Sequence, residues 1–300
     1  MLFLLLLLLA SDPEALLKQG LVALQHNQLQ EARSALEEAS RADANNPYVW
    51  VSLAQTYLRL GDATKAESSA AKAGKLGAAN PVVAHALGMF YFEDAQTLLR
   101  KEDFTHAADV LSTGLKTDPG DARLVLALGV ARYGQRRFDD AIVQFLQAIQ
   151  IDPAIPQPYL FLGRMLDQAG PRLPEITKDY ETWAAKNPQN AKAPLLFAEA
   201  LLAAGVHDSR AEDLLRRSIA LDGGDWESHY QLGVLLASKH RYPQAAAELT
   251  RSAELDPKQA MTHYHLARVY DRLGEPDRAK EERQIHQQLT NAPASVGAAH

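Results

Sequence analysis

The sequence predicts an all-α fold, a solenoid of helix-turn-helix repeats. Proline or glycine recurs with a period of 34 or 35 residues: Pro47 and Pro81 are 34 residues apart, and Pro153 and Pro188 are 35 apart. Within each period a first helix contains an apolar pair followed by a small residue. A second apolar helix begins about five residues after that pattern. A period of this length is typical of helix-turn-helix repeats.

The two helices of a repeat differ in their apolar patterns. The first contains motifs such as LALGVARY (126–133) and YQLGVLL (230–236), in which a small residue such as Gly129 allows a neighbouring helix to approach closely. The second contains an alanine with partners four and seven residues later, which places all three on one helical stripe. The clearest example of the second pattern is Ala141, Phe145 and Ala148.

Together these patterns resemble the tetratricopeptide repeat family. Its signature is Trp, Leu-Gly and Tyr on a first helix (helix A), then Ala, Phe and Ala on a second (helix B), then Pro. The resemblance implies a right-handed superhelical solenoid of eight repeats that covers residues 11–289. The best copy contains Val125, Leu128, Gly129, Ala141, Phe145, Ala148 and Pro153. The expected repeats are residues 12–46, 47–80, 81–121, 122–155, 156–190, 191–225, 226–259 and 260–289.

The third copy is longer than the others. Phe104 follows Tyr91 by 13 residues, whereas Phe138 follows Arg132 by six in the fourth copy, so seven residues are inserted around EDAQTLL (93–99). Seven residues make about two α-helical turns. Helix A of the third copy is therefore expected to lengthen without rotating its faces.

The fifth copy departs in another way. Pro171 and Pro174 fall between its two helices, and Ile176 and Trp183 stand where alanines are expected. Proline is tolerated in a first helical turn but breaks a helix interior. We therefore expect a longer, rearranged connection in this repeat.

The two ends of the chain differ from the repeats. Residues 1–10, MLFLLLLLLA, contain nine apolar residues, which as a helix span roughly 14 Å, about half of a ~30 Å hydrocarbon core. They resemble the apolar region of a secretory signal peptide without its positive start, which predicts a periplasmic or secreted protein. The alternative is a cytoplasmic protein with an apolar extension on the first repeat, and membrane contact is expected only through this segment if it stays uncleaved. Residues 290–300 are expected to be a disordered tail.

Composition excludes several functional classes. The chain has no cysteine, which rules out disulfides and thiolate metal sites, and its net charge of −6 argues against a nucleic acid partner. It contains neither a phosphate-binding glycine loop nor the Gly-x-Ser-x-Gly and His-Glu-x-x-His motifs. His263 and His265 are two residues apart, which places them on different faces of a helix. We therefore expect a non-enzymatic protein without a cofactor or a metal.

The resemblance also implies a binding surface. In tetratricopeptide arrays the helix A faces line a concave groove that holds an extended peptide or an amphipathic helix of a partner protein. By this resemblance ten of twelve lining positions in the first four copies are apolar, whereas five of twelve in the last four are charged, including Arg164, Asp167 and Glu199. The candidate groove residues are Leu17, Leu21, Leu24, Val51, Gln55, Leu58, His85, Met89, Phe92, Leu126, Val130, Tyr133, Arg164, Tyr230, Val234, Tyr264 and Arg268.

The functional hypothesis is a monomeric interaction scaffold whose groove is apolar at its N-terminal end and mixed at its C-terminal end. Contiguous apolar surface usually marks a binding site. Two alternatives remain at this point. The residues after the Tyr position, such as Leu24 and Leu58, could instead be core residues between neighbouring helices A. The apolar surface could also join two copies of the chain as a homodimer in a structural assembly.

Overall fold

The computed structural model describes residues 12–77, 79–206 and 209–291. Across these ranges the chain forms α-helices and two short 3-10 turns and no strand, which confirms the all-α prediction. The first eight helices are α1 Pro13–Gln25, α2 Leu29–Ala42, α3 Pro47–Arg59, α4 Ala63–Gly77, α5 Pro81–Arg100, α6 Phe104–Thr117, α7 Ala122–Gly134 and α8 Phe138–Ile151. The next eight are α9 Gln157–Gly163, α10 Leu173–Lys186, α11 Lys192–Ala203, α12 Ser209–Leu221, α13 Trp226–Ser238, α14 Tyr242–Leu255, α15 Ala260–Leu273 and α16 Pro276–Asn291.

The predictions for the two ends fall largely outside these ranges. Residues 1–10 are not among the described residues, and neither are residues 292–300 of the predicted tail. Helix α16 continues through residues 290 and 291, the start of that tail. Within the described residues, no helix has both the length and the apolar character needed to cross a membrane.

The chain divides into two compact units, Met1–Pro158 and Tyr159–His300, and the division falls within α9. In the first unit each odd-numbered helix contacts the helix that follows it, and α1, α3, α5 and α7 also contact one another in series. In the second unit the same pairing joins α11 to α12, α13 to α14 and α15 to α16. The odd-numbered helices therefore take the place of helix A and the even-numbered helices that of helix B.

A glycine on helix A allows the two helices of several repeats to approach closely. A Cβ atom added to Gly129 would lie 2.6 Å from Cε1 of Phe145, whose buried ring fills that space from α8. Gly233 has the same relation to Leu249, with 2.6 Å from an added Cβ to the leucine Cγ. In both repeats the bulky partner follows the glycine by 16 residues, so the contact recurs with the repeat.

The recurring Asx-Pro pairs mark two different boundaries. Asn46 and Asn80 precede α3 and α5, and their side chains accept hydrogen bonds from the backbone N–H groups of the first turn. The proline that follows is the first helical residue, where its missing N–H has no cost. Asp152 and Asp256 instead follow the last residue of α8 and α14.

The turn from helix A to helix B contains a residue in the left-handed region of backbone space. Gly61 has this conformation with φ of 81°, and Arg136 has it with φ of 61°. Only glycine adopts it without a steric penalty, which is roughly 1–2 kcal/mol for other residues. Among the described residues, those in this region are Asn27, Gly61, Glu102, Arg136, Gly170, Gly205, His240 and Gly274.

The third repeat confirms the prediction of a lengthened helix. Helix α5 contains 20 residues whereas α3 and α7 contain 13 each, so the whole insertion extends the helix. The left-handed turn residue moves with it, from Gly61 to Glu102. Two added turns return the helix nearly to its starting phase. Within the added turns Ala95 is buried in the core, and Leu98 and Leu99 pack against the same core.

The fifth repeat is rearranged, as its prolines predict. Helix α9 contains only 7 residues, and 3-10 turns at Leu166–Gln168 and Gly170–Arg172 connect it to α10. Trp183, which replaces a small alanine, is buried and stacks on Tyr159 with ring centroids 4.5 Å apart. Large side chains on α10 thus fill space beside a shortened helix A.

One hydrogen bond recurs at the aromatic position of helix A. The indole N–H of Trp50 donates to the carbonyl oxygen of Ala44, six residues earlier, over 2.9 Å. Two buried histidines bond to the carbonyl oxygen at the same separation: Nε2 of His229 lies 3.4 Å from Gly223 O, and Nε2 of His263 lies 3.1 Å from Pro257 O. Each histidine Nδ1 also contacts a carboxylate from helix B, Glu248 at 2.7 Å and Glu282 at 2.6 Å.

The Gly129 contact yields a stability prediction. We expect Gly129→Ala to lower the free energy of unfolding by about 1–3 kcal/mol, because the added methyl group displaces a buried ring. In an open helical position the same change would instead stabilise by about 1 kcal/mol. Urea denaturation followed by circular dichroism measures the difference. Gly74→Ala is the matched control, since Gly74 lies inside α4 and a Cβ added there would meet only Cδ1 of Leu87, at 3.7 Å; equal effects of both changes would refute the close-approach argument.

The left-handed turn yields a prediction of opposite sign. We expect Arg136→Gly to raise the free energy of unfolding by about 0.5–1 kcal/mol, the steric penalty less the entropy cost of glycine. Gly61→Ala should lower it, because φ at this position is 81°. Thermal and urea unfolding of both variants test the pair. A destabilised Arg136→Gly variant would contradict the prediction.

Candidate functional site

The first candidate surface lies on the helix A faces of the first unit. Because α1, α3, α5 and α7 contact one another in series, their equivalent positions are neighbours. The side chain of Leu21 is 41% exposed and that of Met89 is 46% exposed. We call this surface the N-terminal face and define it by the predicted residues that keep exposed area. They are Leu17, Leu21, Gln55, Leu58, His85, Met89, Phe92, Leu126, Val130 and Tyr133.

Two residues predicted for the groove lie elsewhere. Leu24 and Val51 are buried, with 6% and 4% of their surface exposed, in the core that joins α1 to α5. For Leu24 the structure therefore favours the core alternative. Leu17 and Leu58 pack against the same core but keep part of their surface exposed.

Polar groups flank the N-terminal face. Arg59 on α3 pairs with Glu93 on α5 over 3.0 Å, and the guanidinium of Arg123 lies 5.7 Å from the ring centroid of Phe92. The Phe92 ring is thereby covered on one side by a cation while remaining partly exposed.

One cluster in the first unit offers ligand atoms of the kind that metals bind. Atoms of His85, Asp118 and Asp121 lie within 4.8 Å of one another. Asp121 already accepts hydrogen bonds from Nε, Nη2 and the backbone N–H of Arg123. Burial raises the pKa of Asp121, but these bonds outweigh it, so the pKa lies below its usual value. The guanidinium of Arg123 thus already pairs with the Asp121 carboxylate, and the cluster gives no support for a metal site.

The second candidate surface is a cavity of about 990 Å³ in the second unit, which we call the α11 cavity. It opens where α9 ends at Gly163, because the chain beyond runs through 3-10 turns instead of a full helix A. Gly163 itself faces α11, and a Cβ added there would lie 2.4 Å from Cδ2 of Leu196. The cavity is lined by Leu160, Gly163, Arg164, Leu166, Asp167, Gly170, Leu173, Lys192, Leu196, Glu199, Leu202, Ala203, Glu227 and Gln231.

Lys192 at the cavity wall is bound by two carboxylates. Its ammonium lies 2.9 Å from Oδ1 of Asp225 and 2.9 Å from Oε2 of Glu227. Burial lowers the pKa of Lys192, but the two hydrogen bonds outweigh this effect and the pKa is raised. Asp225 also caps α13 by accepting from the N–H and hydroxyl of Ser228, and its pKa is lowered despite its burial.

Glu199 is the unusual ionisable group of the cavity. Burial, together with the negative charge of Glu227, raises its pKa to about 8. The side-chain N–H of Gln231 donates to Oε1 of Glu199 over 2.9 Å. The carboxyl group is therefore mostly protonated at neutral pH in the free protein.

The remaining predicted residues of the second unit do not all reach this cavity. Arg164 is exposed and lines it, whereas Tyr230 and Val234 are partly buried against the core of α11 to α16. Tyr264 is exposed, and the guanidinium of Arg268 lies 5.6 Å from its ring centroid. These two form a separate exposed patch on α15.

Several cavity residues were not predicted as groove residues. The groove residues were predicted from the Trp, Gly and Tyr positions of helix A, and Lys192 and Gln231 do not correspond to those positions. The sequence does contain a spacing pattern that indicates these residues. Lys192 and Glu199 are seven residues apart on α11, and Glu227 and Gln231 are four apart on α13. Such spacings place polar side chains on one helical face.

Comparisons with known proteins agree with this fold. The sequence pattern described as "Tetratricopeptide repeat" matches residues 17–81, 92–157 and 230–282. The human protein O-mannosyl-transferase TMTC3 is 23% identical over 197 residues, which are 61% of this chain and 22% of that protein. The chain thus spans about a fifth of the length of the curated relatives it matches.

The solved structure of the type IV pilus biogenesis factor PilW has the same fold. PilW superimposes with a TM-score of 0.57 and 20% identity, over 70% of this chain and 96% of PilW, and at this identity the likeness concerns the fold alone. The Thermus thermophilus tetratricopeptide protein TTC0263 gives a TM-score of 0.48 and 22% identity, over 58% of this chain and 93% of that protein. The repeated helix pairs and the matched sequence pattern establish that this chain belongs to the tetratricopeptide repeat family.

Proposed function

We propose that this chain is a non-enzymatic scaffold that binds a segment of another protein on the N-terminal face. The tetratricopeptide fold supports protein–protein interaction and is typically non-enzymatic. The observation that carries the proposal is the exposure of Leu21 and Met89, beside the partly exposed Phe92 and Val130, on helices in mutual contact. Apolar surface of this kind usually marks a binding site.

The expected ligand is an extended peptide or one face of an amphipathic helix. Apolar anchors spaced along such a segment would pack between Leu21, Met89 and Val130, as in other helix-in-groove complexes. Arg123 and the Arg59–Glu93 pair beside this face would make polar contacts at its edge. A charged residue pushed into the same place would be buried without a partner, which is unfavourable.

The proposed partner is a protein, with neither nucleic acid nor a metal involved. A net charge of −6 disfavours contact with phosphates. In the second unit the proposed contacts are Arg164 in the α11 cavity and the exposed patch of Tyr264 and Arg268, with Tyr230 and Val234 beside them. We further propose that a single copy of the chain suffices for binding.

A double variant tests the proposed face. We expect Met89→Asp with Val130→Glu to weaken partner binding at least about a hundredfold, because each carboxylate would be buried in an apolar contact. Affinity capture from the native organism, with the full chain as bait, identifies the partner. Titration calorimetry with the purified partner then gives the affinity of the wild-type chain and of the variant.

Leu76→Asp is the matched control, since Leu76 lies on the helix B α4, is 38% exposed and is outside the proposed contacts of both units. It should retain the partner, and all variants should keep the circular dichroism of the wild-type chain. Unchanged capture by the double variant would refute the proposed face. Recovery of the chain itself as the sole partner, with a dimer in analytical ultracentrifugation, would favour the self-assembly alternative.

A location outside the cytoplasm remains a prediction from residues 1–10. We expect the protein purified from native cells to begin near Ser11 and to fractionate with the periplasm or the medium. Intact-mass measurement of the native protein tests this prediction. A cytoplasmic protein that retains Met1 would show that the apolar segment is not a cleaved signal.

A further inference from the structure

Among the described residues, the Glu199 carboxyl group of the α11 cavity forms no ion pair, and the nearby charge of Lys192 lowers its pKa less than burial raises it. Within the described residues, the hydrogen-bond partner of Glu199 is the neutral amide of Gln231. The neighbouring carboxylates of Asp225 and Glu227 differ, because they share the ammonium of Lys192. A partly buried carboxyl without a cation suits a positively charged group from outside.

The two cationic side chains of the cavity lining, Lys192 and Arg164, contact groups other than Glu199. Lys192 is held at 2.9 Å by both of its carboxylate partners. The guanidinium of Arg164 lies 5.8 Å from the ring centroid of Phe161, on an exposed side chain. With Glu199 ionised, the acidic groups Asp167, Glu199 and Glu227 outnumber these cations in the cavity lining. Above about pH 8, where most Glu199 is ionised, the charge of the cavity therefore favours a cationic ligand.

The shape and the apolar wall of the cavity suit a long side chain. Leu160, Leu166, Leu173, Leu196 and Leu202 line the space next to Glu199, within a volume of about 990 Å³. Lysine and arginine side chains bury their methylene stems along apolar surface while the charged end reaches a polar group. A leucine-lined cavity with a carboxyl group on its wall matches both parts of such a side chain.

We propose that the α11 cavity receives a lysine or arginine side chain of the partner segment and pairs its charged end with Glu199. This inference rests on the proposed function, because the cationic side chain belongs to the proposed partner. It adds a specificity to that function, namely a positive residue of the partner that the second unit binds.

The pairing should depend on pH. In the free protein the pKa of Glu199 is about 8, so below pH 8 most Glu199 side chains are protonated. A cation that pairs with the ionised carboxylate must then displace this proton, which weakens its binding. Affinity should therefore rise with pH up to about 8 and then level, while the pKa of bound Glu199 falls. The charged or titratable groups around Glu199 are Arg164 beyond α9, Asp167 in the first 3-10 turn, Tyr180 on α10, Lys192 on α11, and Asp225 and Glu227 at the start of α13.

Small cations test the cavity without a partner. The full chain, labelled with ¹³C at glutamate carboxyls, is titrated with n-butylammonium and separately with n-propylguanidinium, while the Glu199 resonance is followed by NMR. We expect millimolar binding that is roughly 25-fold tighter near pH 8.5 than near pH 6.5, which is the ratio of the ionised fractions of Glu199 for a pKa of about 8. Glu199→Gln, which also assigns the resonance, should weaken binding at least tenfold and remove the pH dependence.

The controls separate the possible ligands. Glu254→Gln alters an exposed carboxylate of the second unit that pairs with Arg251, and it should leave binding unchanged. Pentanol, which lacks the charge, should not change the pKa of Glu199. Preferential binding of butanoate would instead indicate an anion site at Arg164 and would overturn the proposal, as would equal cation affinity in Glu199→Gln. If neither n-butylammonium nor n-propylguanidinium binds at Glu199, while the Met89→Asp, Val130→Glu double variant still loses its partner, this inference is wrong and the proposed function stands.

Discussion

The close contact between the two helices of a repeat is the constraint on which the rest of the structure depends. A glycine such as Gly129 or Gly233 leaves room for a bulky residue 16 positions later, and Phe145 or Leu249 fills it. Because this separation is fixed, the turn between the helices must reverse the chain in a few residues, which requires a left-handed residue even where the sequence has Arg136. The repeat period follows from the same geometry.

The sequence predicted the regular parts of the fold well because their determinants are local. The insertion near Tyr91 predicted a longer helix, and α5 extends through Arg100. The fifth repeat was predicted to be irregular, but the cavity beside it was not. Gly163 at the end of α9 and Leu196 on α11 both line this cavity, and they approach each other although they are 33 positions apart, which spacing within one repeat does not reveal.

The candidate site shows the same limit. The repeat pattern predicted Arg164 and Glu199 for one surface, and both line the α11 cavity. It also predicted Leu24 and Val51 for the groove, and both are buried, because the neighbouring helices cover them. The pattern specifies the direction of a side chain on its own helix, whereas burial depends on the distance to the next helix. Of the two irregular repeats, one extends a helix of the first unit and the other lies at the cavity of the second.

The hydrogen bond at the aromatic position bears on how such repeats are recognised in sequences. Trp50, His229 and His263 each bond through a ring nitrogen to the carbonyl oxygen six residues earlier. What this position requires is a ring of suitable size with an N–H donor, and histidine meets that requirement as tryptophan does. A search that rewards only tryptophan or another large aromatic residue scores His229 and His263 as mismatches although they form the same bond.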